Sequence, residues 1–193
     1  MTCIVAVKKG GTIWLGGDRA ATNSHLDRTI IKDPKVFLKG EVGFGVCGSP
    51  KVMDALAHGI ELPAQKGGSD RSFLVGTLVP AIRKGLVDLD AAGKDSSPFG
   101  GSPGITFEGE MLLAYRGELY KLQGNFQLVA SDKDYDATGS GAPYALGSLA
   151  ETWRMESPRK RVIAALEAAA EANAGVAPPF DVVVLKSRCR RAP

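Results

Sequence analysis

The sequence predicts an α+β protein, a four-layer αββα sandwich in which two antiparallel sheets pack face to face between outer layers of helices. Three observations predict it. The first strand is apolar on both faces, strands occur in runs, and each run is followed by a pair of helices. A doubly wound sheet would instead alternate single strands with helices. At 193 residues, the chain fits one domain over residues 1–193.

The chain opens with a predicted β-hairpin. Residues 2–8 are a β-rich apolar run, Gly10 and Gly11 supply a turn, and residues 12–17 form a second run. The hairpin therefore carries Asp18, which follows the second run, back towards the level of Thr2.

Further strands and two helices complete the first half. We expect a short strand at 29–31, strands at 35–38 and 42–47, and helices at about 50–60 and 70–86. Ser49 and Pro50 suit the cap and first turn of the first helix. Pro80 predicts a kink or break within the second helix.

The second half follows a similar order. Strands are predicted at 110–116, 118–123 and 126–130, helices at about 142–155 and 158–173, and a closing strand at 180–185. Between the halves, residues 90–105 are rich in Ala, Gly, Ser, Pro and Asp, which predicts an exposed loop insertion. Residues 186–193 form a basic tail that we expect to be solvated.

Composition argues against several classes of function. A net charge of +3 with scattered basic residues does not indicate a nucleic-acid binder. Two histidines and unclustered cysteines offer little for a metal site, and no apolar run approaches the about 18 residues of a membrane span. Three cysteines form no even framework, which favours a reducing compartment. We therefore expect a cytoplasmic protein without metal, membrane or nucleic acid.

Thr2 is the residue that points most directly to chemistry. Removal of Met1 would leave Thr2 with a free α-amine, whose reference pKa of about 8 lets it accept the hydroxyl proton directly or through a water. A threonine at the second position is common by itself, and its place in a hairpin that returns Asp18 is what favours a nucleophile. Gly48 lies at a predicted strand-to-helix corner, where a backbone amide can face developing negative charge.

Several segments together carry a family resemblance. They are Thr2-Cys3-Ile4-Val5-Ala6-Val7, Gly16-Gly17-Asp18-Arg19-Ala20-Ala21-Thr22, Lys35-Val36, Cys47-Gly48-Ser49 and Thr138-Gly139-Ser140-Gly141-Ala142-Pro143-Tyr144-Ala145-Leu146. This pattern resembles the N-terminal-nucleophile (Ntn) hydrolases of the proteasome β-subunit type, and the HslV peptidases most of all. The likeness is strong over residues 2–50 and 138–150 and weak over residues 60–110.

The resemblance implies a catalytic set. Thr2 matches the nucleophile, Asp18 the buried carboxylate, and Lys35 the lysine that pairs with it and favours the deprotonated hydroxyl. Gly48 matches the glycine whose amide forms the oxyanion hole. Lys32 is a competitor for Lys35, because the spacing is one residue longer than in the family, but Lys35 opens an apolar strand as the family's lysine does.

The resemblance also implies residues around that set. Ser140 matches a serine that hydrogen-bonds near the nucleophile's amine, and Glu171 lies where the family places a late acidic residue. Ala21 and Thr22 match positions that line the substrate channel, Thr22 binding peptide backbone. Val46 matches a residue of the first specificity pocket, and this small apolar lining implies a preference for apolar side chains.

The implied activity is that of a threonine endopeptidase that forms an acyl-enzyme on Thr2 and needs no cofactor. The family works on polypeptides in homo-oligomeric rings, and HslV-type rings receive substrate from a hexameric AAA+ unfoldase, so ATP would enter only through that partner. Two alternatives stay open: an Ntn amidase acting on small-molecule amides, with Cys3 as nucleophile after loss of Thr2, and a non-catalytic ring or scaffold subunit.

Overall fold

The computed structural model describes residues 1–22, 27–94 and 104–187. Its strands are β1 (Ile4–Lys9), β2 (Thr12–Asp18), β3 (Ala20–Thr22), β4 (Arg28–Ile30), β5 (Val36–Lys39), β6 (Val42–Gly48), β7 (Ala92–Lys94), β8 (Ile105–Phe107), β9 (Gly109–Tyr115), β10 (Glu118–Leu122), β11 (Leu128–Ala130), β12 (Tyr135–Thr138) and β13 (Phe180–Lys186). Its α-helices are α1 (Pro50–Asp54), α2 (Asp70–Phe73), α3 (Val79–Asp88), α4 (Ala142–Glu151) and α5 (Pro158–Ala172). None of the helices in these ranges is long and apolar enough to cross a membrane.

Two antiparallel sheets form the centre of the molecule. One has the strand order β12-β1-β2-β13 and the other the order β11-β10-β9-β6-β5. One apolar cluster, which includes Ile4, Leu15 and Leu112, lies between the sheets. A second fills the space between the first sheet and α4 and α5, and a third packs the other sheet against α1 to α3. These three interfaces make the four-layer αββα sandwich.

Glycines in β6 let the two sheets approach closely. A Cβ atom at Gly43 would lie 2.8 Å from Leu15 Cδ1, and one at Gly45 would lie 2.4 Å from Ile4 Cγ2. Both positions therefore exclude a side chain unless the facing sheet moves away, because a packed interior leaves no spare space.

The first hairpin forms as predicted. Ile4 pairs with Gly17 in the β1–β2 register, and the Asp18 amide donates to the Cys3 carbonyl. β12 pairs on the other side of β1, with Ile4 opposite Thr138. The start of β1 is therefore held from both sides, next to the segments that follow Asp18 and Thr138.

Some elements were not predicted. β12 was missed because Asp136 interrupts its apolar pattern, and β3 and β7 are only three residues long. The loop expected at residues 90–105 contains β7, which pairs with β8, while residues 95–103 lie outside the described residues. Of the basic tail, Lys186 ends β13, and residues 188–193 also lie outside the described ranges.

The irregularity expected at Pro80 takes a specific form. The helical chain from Asp70 continues through a π-helical turn, Leu74–Leu78, before α3 begins at Val79. Pro80 lies in the first turn of α3, where its missing amide hydrogen costs no intrahelical bond. The chain thus changes hydrogen-bond register at the proline and does not break.

Candidate active site

The candidate site is a cavity of about 240 Å³ at the end of β1. It is open to solvent on one side, and its walls come from β3, from the segment before β5, from the end of β6 and from α1. Thr2, Lys35 and Gly48 line it together, as do Ala21, Thr22 and Val46. The fold therefore gathers residues from distant parts of the sequence around one threonine.

Thr2 is held in place at the start of β1. The residue is 6% exposed, and its carbonyl accepts hydrogen bonds from the Gly141 amide at 3.2 Å and the Ser140 hydroxyl at 3.3 Å. Gly139 has a φ of +95°, and a Cβ there would lie 2.3 Å from the Thr2 carbonyl oxygen. The Gly-Ser-Gly turn can therefore wrap around Thr2 only because its first residue is glycine.

Lys35 joins Thr2 to Asp18. Lys35 Nζ donates to Thr2 Oγ1 at 2.9 Å, to both carboxylate oxygens of Asp18 at 3.1 Å, and to the Ala20 carbonyl at 2.5 Å. Asp18 is fully buried and Lys35 is 6% exposed. Because a buried charge without a partner is costly, the two side chains require each other.

Backbone amides complete the coordination of the Asp18 carboxylate. The Cys3 amide donates to Oδ1 and the Ala20 amide donates to Oδ2, both at 2.9 Å. Hydrogen bonds of this kind stabilise the ionised carboxylate. Burial lowers the pKa of the Lys35 ammonium below its usual value, while the charge and hydrogen bond of Asp18 act in the opposite direction. The competing Lys32 is exposed, and its carbonyl, not its ammonium, accepts a hydrogen bond from Arg19 Nη1.

Gly48 ends β6 and turns the chain into α1. Its φ is +117°, and a Cβ there would lie 2.3 Å from the Glu108 carbonyl oxygen. Only glycine fits this backbone without strain. Ser49 occupies the cap position of α1 without a side-chain hydrogen bond, and Pro50 is in the first turn. Gly48 thus brings a backbone amide to the wall of the cavity that contains Thr2.

Ser140 approaches the nitrogen of Thr2. Its Oγ accepts a hydrogen bond from Thr2 N at 3.2 Å. Asn173, directly after α5, donates through Nδ2 to the Ser140 carbonyl at 2.9 Å. Glu171 is exposed near the end of α5 and makes no hydrogen bond or ion pair with the other described residues. Asn173 was missed by sequence reasoning, although it lies two residues after Glu171, because only an acidic residue was expected there.

Met1 occupies one side of the cavity. Its α-amine donates to Thr22 Oγ1 at 3.2 Å, and its carbonyl accepts from Thr2 Oγ1 at 2.6 Å. Its side chain packs on Gly175, where a Cβ would lie 2.2 Å from Met1 Cβ. With Met1 in place, Thr2 N is a peptide nitrogen and the Thr2 hydroxyl donates to a neighbouring carbonyl.

Cys3 faces away from the cavity. Successive residues of a strand point to opposite faces, and the Cys3 thiol belongs to the cluster between the first sheet and α4 and α5. It is fully buried, and burial raises its pKa to about 12, with the Asp18 charge adding to the effect. Such a thiol is almost entirely protonated near neutral pH and is therefore a poor nucleophile.

Two carboxylates of the cavity wall, Asp33 and Asp54, were also not anticipated. No local pattern pointed to them, because each lies next to a turn or at a helix end, where an exposed acid is ordinary. Within the described ranges, no group of three or more His, Cys, Asp and Glu side chains is placed to hold a metal ion.

Known structures share this architecture. BPH from Thiobacillus denitrificans, in a complex with epoxomicin, matches with a TM-score of 0.74 at 19% identity, over 96% of this chain and 99% of the BPH chain. Eukaryotic HslV from Trypanosoma brucei matches with a TM-score of 0.63 at 17% identity, over 95% and 99% of the two chains. Anbu, an ancestral β-subunit from Yersinia bercovieri, matches with a TM-score of 0.65 at 12% identity, over 95% of this chain and 81% of Anbu.

These matches establish the fold. The chain has the proteasome β-subunit-like Ntn hydrolase fold, which confirms the fold class predicted from the sequence. No model of a protein family matches the chain. The particular relatives it resembles are BPH, HslV and Anbu, all at low identity, so the specific likeness to HslV stays a prediction.

Proposed function

We propose that this protein is a threonine endopeptidase that cleaves polypeptides through an acyl-enzyme on Thr2. The observation that carries the proposal is the position of Lys35 Nζ, which donates to Thr2 Oγ1 at 2.9 Å and to the buried Asp18 carboxylate at 3.1 Å. A buried ammonium beside a hydroxyl favours the alkoxide, and a buried carboxylate keeps that ammonium charged. A solvated surface lysine would have neither neighbour.

The proposed reaction begins after Met1 is removed. The α-amine of Thr2 accepts the hydroxyl proton, directly or through a water, as Oγ1 attacks the carbonyl carbon of the scissile peptide bond. The Gly48 amide donates to the oxyanion that forms. The amine then returns the proton to the leaving nitrogen, the peptide bond breaks, and an ester on Oγ1 remains. Water hydrolyses this ester by the same steps in reverse order and restores Thr2.

The other residues hold this arrangement. Ser140 Oγ is within 3.2 Å of Thr2 N and can orient the amine once it is free. Thr22, whose hydroxyl accepts a hydrogen bond from the Met1 amine, is placed to bind the backbone of a substrate. Ala21 and Val46 line the cavity that would receive a substrate side chain. Glu171 stays a prediction without a described contact to Thr2.

Intact mass and inhibitor labelling test the proposal. We expect the purified protein to lack the mass of Met1 and to gain the mass of one epoxomicin, since an epoxyketone has two electrophilic centres that a threonine hydroxyl and a free amine can attack. The Thr2→Ala variant should gain nothing. Thr152→Ala, at a threonine that does not line the cavity, is the matched control and should label fully. A protein that has lost Met1 and still forms no adduct would contradict the proposal.

We further propose that the protein works as a homo-oligomeric ring and receives unfolded substrate from a hexameric AAA+ partner, as the resemblance implies. No cofactor takes part in the chemistry, so ATP would act only through that partner. Native mass spectrometry of the processed protein should show a ring-sized homo-oligomer. A processed monomer that hydrolyses small amides but not peptides would favour an amidase, and an oligomer without any adduct would favour a scaffold subunit.

A further inference from the structure

The cavity beside Thr2 carries an acidic wall opposite an apolar one. Asp33, just before Lys35, and Asp54, at the end of α1, line the cavity together with the apolar side chains of Ile31, Val46 and Met53. The small apolar lining expected from Ala21 and Val46 is therefore only part of the wall.

The negative charge of this wall is not neutralised within the cavity. Lys35 also lines it, but its ammonium contacts Asp18 at 3.1 Å. Asp54 is exposed and makes no ion pair or hydrogen bond with any other residue that the structure describes. Asp33 lies within electrostatic range of Arg19, whose guanidinium already contacts both oxygens of Asp181. Asp54 is thus the main uncompensated charge.

The same carboxylates border a second cavity. Asp33, Met53 and Asp54 line both the first cavity and an adjoining one of about 240 Å³, whose other walls include Phe37 and Ala57. A long side chain that enters past Val46 would therefore reach carboxylates with space beyond them. A short apolar side chain would leave these carboxylates uncontacted.

We propose that this site selects polypeptides with lysine or arginine on the residue whose carbonyl is attacked. Lysine and arginine have an aliphatic stem that packs on apolar surface and a charged end that a carboxylate can bind. Met53 and Val46 contact the stem, and Asp54, with Asp33, contacts the cationic end. This specificity rests on the proposed peptidase function and adds the class of substrate to it.

Peptides that differ at one residue test this specificity. We would compare fluorogenic peptides carrying arginine, lysine, norleucine or glutamate before the scissile bond, because norleucine keeps the stem of lysine without its charge. With the Met1-free protein, kcat/KM for arginine and lysine should exceed that for norleucine about tenfold, and glutamate should be slowest. Raising the salt concentration should reduce the difference, since the carboxylates are exposed.

Variants assign the effect to the wall. Asp54→Asn should remove most of the preference for arginine while leaving norleucine cleavage unchanged, and the double variant Asp33→Asn, Asp54→Asn should remove the rest. Asp132→Asn, an exposed aspartate on the segment after β11, is the matched control and should keep the preference. Norleucine cleaved as well as arginine, or a preference unchanged in the double variant, would overturn the proposal.

A binding measurement separates this proposal from the catalytic one. Fluorescence polarisation with the same peptides and the Thr2→Ala variant reports the preference without turnover, and arginine should again bind about tenfold more tightly than norleucine. Equal binding of the two would overturn the acidic specificity even in a protein that cleaves neither. Absence of an epoxomicin adduct together with selective arginine binding would count against catalysis alone.

Discussion

Asn173 Nδ2 lies 2.9 Å from the carbonyl oxygen of Ser140, while Asn173 Oδ1 accepts a hydrogen bond from the Gly175 amide, also at 2.9 Å. One carboxamide therefore joins the turn that holds Thr2 to the turn that supports Met1. Because Ser140 Oγ contacts Thr2 N, Asn173 is a positioning residue that acts through Ser140.

Asn173→Asp should lower kcat about fivefold with little change in KM. The aspartate keeps an acceptor for the Gly175 amide but loses the donor to Ser140, and one neutral hydrogen bond contributes about 1 kcal/mol. Peptide kinetics provide the measurement. Glu171→Gln is the control and should leave kcat unchanged, since Glu171 makes no hydrogen bond or ion pair with other described residues. Equal losses in both variants would argue for the late acidic residue expected from the sequence.

Lys35→Met should abolish labelling and also destabilise the protein. The rate of epoxomicin adduct formation should fall by at least about 100-fold, because the hydroxyl loses its ammonium neighbour. Removing Lys35 leaves the fully buried Asp18 without its cation, which costs about 3–5 kcal/mol of unfolding free energy. Urea unfolding and mass spectrometry measure the two effects.

Two companion variants separate stability from chemistry. Asp18→Asn combined with Lys35→Met should recover part of the unfolding free energy, since no unpaired charge remains, but none of the labelling. Lys32→Met should change neither quantity, because the Lys32 side chain is exposed. Normal labelling of Lys35→Met would remove this lysine from the catalytic set.

The two described cysteines should be unreactive in the folded protein. At pH 8 a thiol with a pKa of about 12 is ionised in only about one molecule in ten thousand, and burial raises the pKa of Cys47 as well. In a Cys189→Ser background, iodoacetamide should modify neither Cys3 nor Cys47 until denaturant is added. Because a pKa raised by burial means that the thiolate is disfavoured, raising the pH to 9 should increase labelling only slightly. Rapid native labelling of Cys3 would revive the amidase alternative.

Two glycine-to-alanine substitutions should have opposite effects. Gly48→Ala places a Cβ 2.3 Å from the Glu108 carbonyl at a φ of +117°, so we expect it to lower Tm and to reduce adduct formation. Gly147→Ala lies in the exposed middle of α4 with no atom within 4 Å of the new Cβ, and should stabilise by about 0.5–1 kcal/mol. Thermal unfolding distinguishes them, and similar shifts in Tm would refute the role assigned to the Gly48 backbone.

Sequence reasoning succeeded where a local pattern determines a position. The hairpin that returns Asp18 beside Thr2 follows from two apolar runs and a glycine turn, and the structure has this hairpin with Ile4 opposite Gly17. The two-sided apolar pattern of β1 correctly indicated a sheet covered on both faces, because such a strand cannot face water.

It failed where tertiary contacts decide. Asn173 acts on Ser140 across 33 positions of sequence, and a single polar residue after a helix carries no local signal of such a contact. The same holds for Asp33 and Asp54, which share a cavity wall only because the segment before β5 and α1 are neighbours in the fold. β12 depends on pairing with β1, and that pairing tolerates the polar residue in its middle.

The two neighbours of β1 have a practical consequence for handling the protein. With β12 on one side and β2 on the other, the chain ahead of Thr2 leaves β1 along the cavity, where the Met1 amine already touches Thr22. Any residues fused to the N-terminus would run through the space a substrate needs. An affinity tag there should act as an inhibitor tethered to its own target, whereas a tag at the other terminus begins after β13 and leaves the cavity open.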